Sequence, residues 1–286
     1  MSQRIHGFDV ARALAVFGMV VVNFKIATGA DKSGPHWLLD AMGLLEGRAA
    51  ATFVVLAGVG LSLLSARARE ANDTATLARQ RNGLLRRALF LFVVGLLYTP
   101  IWPADILHFY GVYLTLGALL LAAPARWLVA TAAASIAAFV GLLMVFDYEQ
   151  GWDWETLAYE GLWTPEGMIR HLFFNGFHPV FPWVAFLLLG MFLGRLPLRD
   201  ALLRRRVLGW GLGVAVATEA VSWLAIRALS TGADARTAED VQALFGTAPM
   251  PPVPFYVLAA GGLAAAVIAA CVGLSERAGD AAWLQP

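Results

Sequence analysis

Eight long apolar runs divide the 286-residue chain, and they constrain its fold more than any other feature of the sequence. A hydrocarbon core of about 30 Å takes about 20 residues of helix to cross, and most of the runs approach that length. They extend over Phe8–Thr28, Ala49–Ser65, Leu89–Trp102, Ile106–Ala123, Trp127–Phe146, Val180–Leu193, Val207–Leu229 and Pro254–Leu274. The pattern predicts an all-α, polytopic bundle of about eight transmembrane helices, formed by one domain over residues 1–286.

Composition agrees with a membrane location and excludes several other classes of protein. Only 14% of the residues are charged and 59% are hydrophobic, whereas soluble domains carry about 25% charge. The net charge of +1 comes without a basic stripe that would indicate nucleic-acid binding. The single cysteine, Cys271, excludes an intrachain disulfide and any metal site built from several cysteines.

Arginines concentrate in the loops on one predicted side of the bundle. They are Arg4, Arg67, Arg69, Arg79, Arg81, Arg86, Arg87, Arg126, Arg195, Arg199, Arg204, Arg205, Arg206 and Arg277. Because cytoplasmic loops carry the excess of basic residues, this asymmetry predicts a cytoplasmic N-terminus. The loops around residues 29–48, 147–179 and 230–253 then face outward. Most of the tryptophans lie near that face, where an aromatic belt is the simplest interpretation.

Three polar residues lie in the first apolar run. Asp9 and Arg12 are three residues apart, and Asn23 follows Arg12 by eleven, so all three share one helical face. The simpler interpretation is an Asp9–Arg12 pair that reaches the cytoplasmic interface. The alternative is a polar stripe that lines a path between the two sides of the membrane.

Histidines from separate segments are predicted at the outer side. His36 follows the first run, His108 begins the fourth, and His178 lies with Asn175 before the sixth. A single interfacial histidine is usually a satisfied polar group, but imidazole is also the side chain best suited to proton transfer near neutral pH. Convergence of the three would create a site. A metal centre is less favoured, because no two of them have helical ligand spacing.

Several segments resemble one family of membrane enzymes. They are Arg4–Ala15 (RIHGFDVARALA), Val21–Phe24, Phe53–Ser62, Asp105–Gly111 (DILHFYG) and Asn175–Trp183 (NGFHPVFPW). Their sequence, order and placement resemble the transmembrane acyltransferases, a group that includes heparan-alpha-glucosaminide N-acetyltransferase and bacterial YeiB-like membrane proteins. The resemblance covers most of the chain and implies a location in the bacterial cytoplasmic (inner) membrane.

The resemblance implies transfer of an acyl group across the bilayer. Acetyl-CoA or another acyl-CoA would be the cytoplasmic co-substrate, no metal would be needed, and a glycan or other hydroxyl or amine acceptor would lie outside. Asn23 and His36 match the family's catalytic asparagine and histidine, although the spacing between them is slightly longer here. The broader acyltransferase-3 group places a histidine eleven residues after an arginine, where this chain has Asn23 after Arg12.

Physical chemistry gives each predicted residue a role. His36 would act as a general base, which contributes about 10²–10⁴-fold to the reaction rate. The Asn23 amide would stabilise the developing oxyanion. Acyl-CoA would be bound by Arg12, Asp9, Arg86 and Arg87, with the arginines on the phosphates. The acceptor would be bound by Asp105, His108, Tyr110, Asn175, His178 and Trp183.

Two other functions remain open from the sequence. Apolar spans with a polar stripe and a large outer loop would also suit a transporter or flippase of a small solute or a lipid-linked glycan. A relative without catalytic activity is the second alternative. Related proteins continue into further spans beyond the position where this chain ends, so the domain is expected to lack some C-terminal helices. The lipid bilayer is a partner by definition, and a homodimer is left open.

Overall fold

The computed structural model describes residues 5–29 and 35–278, and it confirms the all-α class. Arg4, the first residue of the RIHGFDVARALA segment, lies outside the described residues. The elements are α1 His6–Thr28, α2 His36–Gly43, α3 Arg48–Glu70, α4 Thr74–Tyr98, α5 Leu107–Leu119, α6 Ala125–Leu143, β1 Trp152–Asp153, β2 Ala158–Tyr159, α7 Pro165–Arg170, a π-helical turn His171–Asn175, α8 Val180–Leu193, α9 Ala201–Ser230, α10 Ala235–Phe245 and α11 Pro254–Arg277.

Each of the eight apolar runs coincides with a helix, but eight crossings are not confirmed. Among the described residues, five helical segments are long and apolar enough to span a membrane: His6–Thr28, His36–Glu70 (which joins α2 and α3), Ala125–Leu143, Ala201–Ser230 and Pro254–Arg277. A sixth span results if Pro165–Asn175 and Val180–Leu193, which meet at a bend of 48°, cross together. The difference between the eight predicted crossings and these spans arises at α4, whose first 14 residues carry four arginines, and at α5, which has only 13 residues.

The chain forms two compact units. One lies within Met1–Ala57, Leu196–Pro249 and Phe255–Pro286, and the other within Gly58–Arg195 and Met250–Pro254. We refer to them as the terminal unit and the central unit. α3 contributes its first residues to the terminal unit and its remaining length to the central unit.

Aspartate and threonine side chains cap the N-termini of four helices. Asp73 accepts a hydrogen bond from the Thr76 N–H at the start of α4, and Asp200 accepts from Leu202 and Leu203 at the start of α9. Asp234 and Thr164 do the same for α10 and α7. Hydrogen bonds to the ionised carboxylate favour it, so the Leu203 and Leu202 N–H groups lower the pKa of Asp200.

In the terminal unit, glycines allow helices to pack closely. A Cβ at Gly7 would collide with the backbone of Val272 in α11, and Gly211 of α9 lies against Gly262 of α11 in the same way. Glu219 of α9, a charge inside an apolar run, is paired: its Oε1 lies 2.6 Å from Arg48 Nη2, and its Oε2 accepts a hydrogen bond from Thr247. Small-residue contacts and paired charges of this kind are typical of helices packed in a membrane.

The central unit is built around α8. Nearly all of α8 is buried, and Trp183, Phe186 and Leu187 have almost no exposed surface. A Cβ at Gly58 of α3 would collide with the Leu187 carbonyl oxygen, so α3 and α8 touch through their backbones. α8 is therefore the buried central helix of this unit, and its Trp183 contacts His178 of the preceding loop.

Candidate functional site

A buried carboxylate–imidazole pair lies at the start of α5 in the central unit. Asp105 Oδ2 is 3.1 Å from His108 Nδ1, and it also accepts a hydrogen bond of 2.9 Å from the Leu107 N–H. Relative exposure is 5% for Asp105 and 0% for His108. A carboxylate only accepts hydrogen bonds, so Nδ1 carries a proton, and in the neutral form of the ring Nε2 presents its lone pair. No described residue forms a hydrogen bond with that Nε2.

The position of His108 depends on a glycine in the neighbouring helix. A Cβ at Gly95 of α4 would collide with the backbone nitrogen of His108 and come within 2.9 Å of Asp105 Oδ2. Gly111 of α5 likewise lies against the Ala88 carbonyl of α4. These contacts bring α4 and α5 close enough to enclose the pair and remove it from solvent.

A second buried imidazole lies beside His108. His171 begins the π-helical turn, is 1% exposed, and stacks on His108 with ring centroids 5.4 Å apart and planes 17° apart. Its Nδ1 also has no hydrogen-bond partner among the described residues. We call His108 and His171 the imidazole pair. π-Helical turns are uncommon and occur frequently at functional sites.

His178 belongs to the same neighbourhood but faces different groups. Its ring lies edge-on to Phe109, with centroids 6.1 Å apart, and to Trp183 at 4.6 Å. Its carbonyl oxygen accepts a hydrogen bond from the Tyr113 hydroxyl. Phe109 also contacts His171, at 5.1 Å, so His178 and the imidazole pair share a contact with this one phenyl ring.

Asn175 fixes the loop that covers the imidazole pair. Its Nδ2 donates to the carbonyl oxygens of Tyr148 and Gln150, both at 2.8 Å, and its Oδ1 accepts from the Tyr159 hydroxyl at 2.7 Å. Its own carbonyl accepts from Trp152 Nε1 at 2.6 Å. Both amide hydrogens of Asn175 are therefore used within the protein.

The covering loop is a short aromatic hairpin, residues 151–161, which we call the cap. Trp152 of β1 pairs with Tyr159 of β2, and both rings lie on His171, with centroids at 5.9 Å and 4.6 Å. Trp154 stacks on Trp152, with ring centroids 4.6 Å apart, and is 39% exposed. A continuous column of rings thus runs from the surface to the buried Asp105–His108 pair.

The tyrosine of the cap is held in its neutral form. Burial raises the pKa of Tyr159, and the Arg170 guanidinium, whose Nε donates to the phenol oxygen at 2.8 Å, offsets part of that rise. Burial also raises the pKa of Tyr148, just before the cap. At neutral pH the Tyr159 hydroxyl is therefore a hydrogen-bond donor to Asn175.

Part of this site agrees with the residues that the sequence predicts to lie together. His108 and His178 do share a neighbourhood, with Asp105, Asn175 and Trp183, while Tyr110 is half-buried and lies edge-on to Tyr113 at 6.4 Å. The third imidazole in the central unit is His171, which the sequence did not single out. Trp152 is among the tryptophans for which the sequence favours an aromatic belt, and the sequence assigns no site role to Tyr159 or Arg170. The spacing of His171, four residues before Asn175 and seven before His178, was an available signal.

The remaining predicted residues lie elsewhere in the chain. Asp9 and Arg12 form the predicted ion pair, 3.1 Å apart, near the start of α1. Asn23 is exposed on α1 and His36 is exposed at the first residue of α2; much of the segment between these helices, residues 30–34, is outside the described part of the chain. Arg86 and Arg87 are exposed on α4. The roles predicted for these six residues stay predictions.

Within residues 5–29 and 35–278, no group of three or more histidine, cysteine or acidic side chains is arranged to hold a metal ion. The described side chains are suited to proton acceptance, because an imidazole is oriented by a carboxylate and its opposite nitrogen has no partner among the described residues. The fold and this site define an integral membrane protein of several apolar helices with an acid–base type of side-chain arrangement.

Comparison with known proteins identifies the family. Residues 4–229 match the family model described as heparan-alpha-glucosaminide N-acetyltransferase, catalytic. The match covers well over half of the chain, so the protein belongs to this family of membrane acetyltransferases, as the sequence motifs predicted. No curated protein and no solved structure matches the chain significantly.

Proposed function

We propose that the protein is an acyl-CoA-dependent acyltransferase of the cytoplasmic membrane of a bacterium. It would move an acetyl or other acyl group from cytoplasmic acyl-CoA to an acceptor, a sugar, at the opposite face. The observation that carries this proposal is the family match over residues 4–229, which includes every residue to which a role is given below. The apolar helices support the membrane location.

The proposed reaction needs one group that takes a proton and one that stabilises negative charge. The acceptor nitrogen or oxygen attacks the thioester carbon, the new C–N or C–O bond forms, and the C–S bond breaks. The acceptor proton passes to a histidine and then to the CoA thiolate, which leaves as the thiol. The resemblance favours His36 as that base and the Asn23 amide as the donor to the oxyanion.

Arginines support binding of the CoA phosphates at the cytoplasmic side. Arg12 is exposed near the start of α1 and is oriented by Asp9, and Arg86 and Arg87 are exposed near the middle of α4. Guanidinium groups form bidentate, charge-assisted hydrogen bonds with phosphate, so these residues suit acyl-CoA.

The geometry supports His108 as an alternative base. His36 is exposed and no described contact fixes its ring, whereas His108 is oriented by Asp105 at 3.1 Å and presents Nε2. An orienting carboxylate holds the useful tautomer and stabilises the imidazolium that forms. We propose this part of the central unit as the acceptor side, because the other predicted acceptor-binding residues lie nearby in sequence or space: Tyr110, Asn175, His178 and Trp183.

The test is acetyl transfer in proteoliposomes. Labelled acetyl-CoA is supplied on one face and glucosamine on the other, and product is measured for wild type, His36→Ala, Asn23→Ala and His108→Gln. His36 and Asn23 are exposed, so their substitution should leave folding intact. A fall of about 10²–10⁴-fold in the acetyl-transfer rate of either variant would support the roles that the resemblance implies. Full activity in His36→Ala would transfer the role of base to His108. No transfer by wild type would refute the acyltransferase.

The transporter alternative predicts a different result in the same vesicles. Labelled glucosamine would accumulate on the far side without acyl-CoA, and it would remain unacetylated. Movement that depends on acetyl-CoA and delivers only the acetylated sugar supports the enzyme.

A further inference from the structure

Two arginines of the central unit are turned into the protein rather than outward, and the first is Arg69. It lies next to the last residue of α3, is half-buried, and its Nη2 donates to the Ser62 carbonyl oxygen at 3.0 Å. Ser62 is seven residues earlier, which places it about 10 Å nearer the middle of the helix. Arginines near the end of a membrane helix usually extend outward to the interface. Arg69 is directed the opposite way, so its charge is held beside the buried face of α3.

Arg195, the second of these arginines, follows α8 in the chain. It is half-buried, and its Nη1 donates to the Ala123 carbonyl oxygen, between α5 and α6, at 2.7 Å. Its Nε and Nη2 are buried, and no described residue forms a hydrogen bond with either nitrogen. These two atoms carry most of the N–H groups of a guanidinium. Most of the hydrogen-bonding capacity of Arg195 is therefore unused by the described part of the protein.

The two guanidinium groups lie in one neighbourhood. A Cβ at Gly194, the residue before Arg195, would come within 2.8 Å of the Ser62 side chain, and Ser62 is the residue to which Arg69 is bonded. Burial lowers the pKa of Arg195 to about 10, and the positive charge of Arg69 contributes to that fall. Arginine stays protonated at neutral pH, so two like charges are held near one another.

No described carboxylate pairs with these two charges. Neither Arg69 nor Arg195 forms an ion pair within residues 5–29 and 35–278, and Glu70, next to Arg69, is exposed to solvent, which screens its charge. By contrast, Arg48 in the terminal unit is paired with Glu219. Half-buried charges of one sign without a counter-charge are unfavourable. The arrangement therefore indicates a place where an anion binds.

We propose that Arg69 and Arg195 bind a phosphate group, and that this phosphate belongs to an anionic phospholipid of the cytoplasmic leaflet. Guanidinium groups form bidentate, charge-assisted hydrogen bonds with phosphate oxygens. Both arginines lie beside a helix end on the side predicted to be cytoplasmic, and basic pockets between membrane helices on that side bind anionic headgroups. Arg195 donates its unpartnered N–H groups to the phosphate, and Arg69 supplies the second positive charge. This site does not depend on the proposed acyl transfer.

Exposed apolar side chains nearby favour a lipid over a soluble phosphate. Leu119, at the end of α5 and shortly before Ala123, is 61% exposed, and Leu63, next to Ser62 on α3, is 47% exposed. Removing such apolar surface from water against an acyl chain is favourable. A phospholipid can cover these leucines with its acyl chains while its phosphate binds the guanidinium groups. A soluble phosphate ester would gain only the second of these interactions.

Lipid titration followed by native mass spectrometry tests the site. The full chain in a nonionic detergent is titrated with phosphatidylglycerol or phosphatidylcholine, and the Kd of the first bound lipid is measured. Wild type should bind phosphatidylglycerol about tenfold more tightly, because only this lipid has a net negative charge. The double variant Arg69→Gln, Arg195→Gln should reduce that preference to about twofold, the remainder coming from exposed arginines.

A matched double variant controls for general attraction to the basic side of the bundle. Arg67→Gln, Arg126→Gln removes the same charge from two exposed positions on the side predicted to be cytoplasmic, and it should keep the tenfold preference. Thermal unfolding in the same detergent checks folding. If the first double variant does not fold, Arg69→Gln alone is used, since it gives up only a bond to its own helix; it should lower the preference about threefold.

Competition distinguishes a lipid from a soluble phosphate. Inorganic phosphate or CoA is added in large excess to wild type loaded with phosphatidylglycerol, and retention of the lipid in both cases supports the lipid as occupant. Displacement by either compound overturns it and assigns the two arginines to a soluble phosphate. An equal loss of preference in the two double variants, or no loss in either, overturns the site itself. None of these results depends on whether the protein transfers acetyl groups.

Discussion

At the scale of single residues, the contrast between Asn175 and His108 is informative. Both are fully buried and both were predicted to bind the acceptor. Asn175 uses its two amide hydrogens on the carbonyl oxygens of Tyr148 and Gln150, just before the cap, whereas His108 keeps one ring nitrogen without a partner among the described residues. Asn175 therefore positions the cap, and His108 retains the capacity to bind something else.

The charge of Asp105 can be tested apart from its hydrogen bonds. One oxygen, Oδ2, bonds to the Leu107 N–H and to His108 Nδ1, so Asp105→Asn can keep both bonds and lose only the charge. We expect acetyl transfer to fall on the order of 10²-fold, because the imidazolium loses its stabilising partner. Activity is measured as kcat/KM, with thermal unfolding in detergent as the check on folding.

Asp105→Ala is the companion variant. It leaves the His108 ring and the Leu107 N–H unsatisfied in a buried place, which should cost about 1–3 kcal/mol of stability in addition to activity. An Asp105→Asn protein with the wild-type rate would show that the carboxylate charge has no part in the reaction.

At the scale of elements, apolar periodicity was sufficient to place the helices but not the site. The Phe8–Thr28 and Val207–Leu229 runs are close to α1 and α9 because long apolar stretches have few alternatives. The π-helical turn around His171 was not predictable, since its residues continue the pattern of α7. The strands of the cap have two residues each, too few for alternation to be recognised.

Glycine contacts between elements give a matched pair of variants on one helix. Gly95→Ala would force α4 away from the backbone of His108, whereas no atom outside the helix lies within 4 Å of a Cβ at Gly83. We expect Gly95→Ala to lose about 1–3 kcal/mol of stability from overpacking. Gly83→Ala should gain about 0.5–1 kcal/mol from its higher helix propensity. Thermal unfolding in one detergent measures both, and equal effects would contradict the close approach of α4 and α5.

At the scale of the whole molecule, the number of membrane crossings depends on α4 and α5. α4 has 25 residues, about 37 Å of helix, but four arginines in its first 14 residues prevent it from qualifying as an apolar span. Long arginine side chains reach the interface from within a helix end, so α4 can still cross the bilayer. α5, with 13 residues, would be a short return span.

Cysteine labelling decides between a crossing and a re-entrant α4–α5 pair. In a Cys271→Ala background, which removes the single native thiol, one cysteine is placed at Ala71 before α4 or at Ile101 after it, both exposed positions. If α4 crosses, as the arginine distribution predicts, a membrane-impermeant maleimide labels Ile101→Cys in intact cells and Ala71→Cys only after permeabilisation. A re-entrant pair would leave Ile101→Cys within the bilayer and unlabelled under both conditions. That result would reduce the count to the six spans that length and hydropathy support, and it would move the Asp105–His108 pair from the outer face into the depth of the membrane.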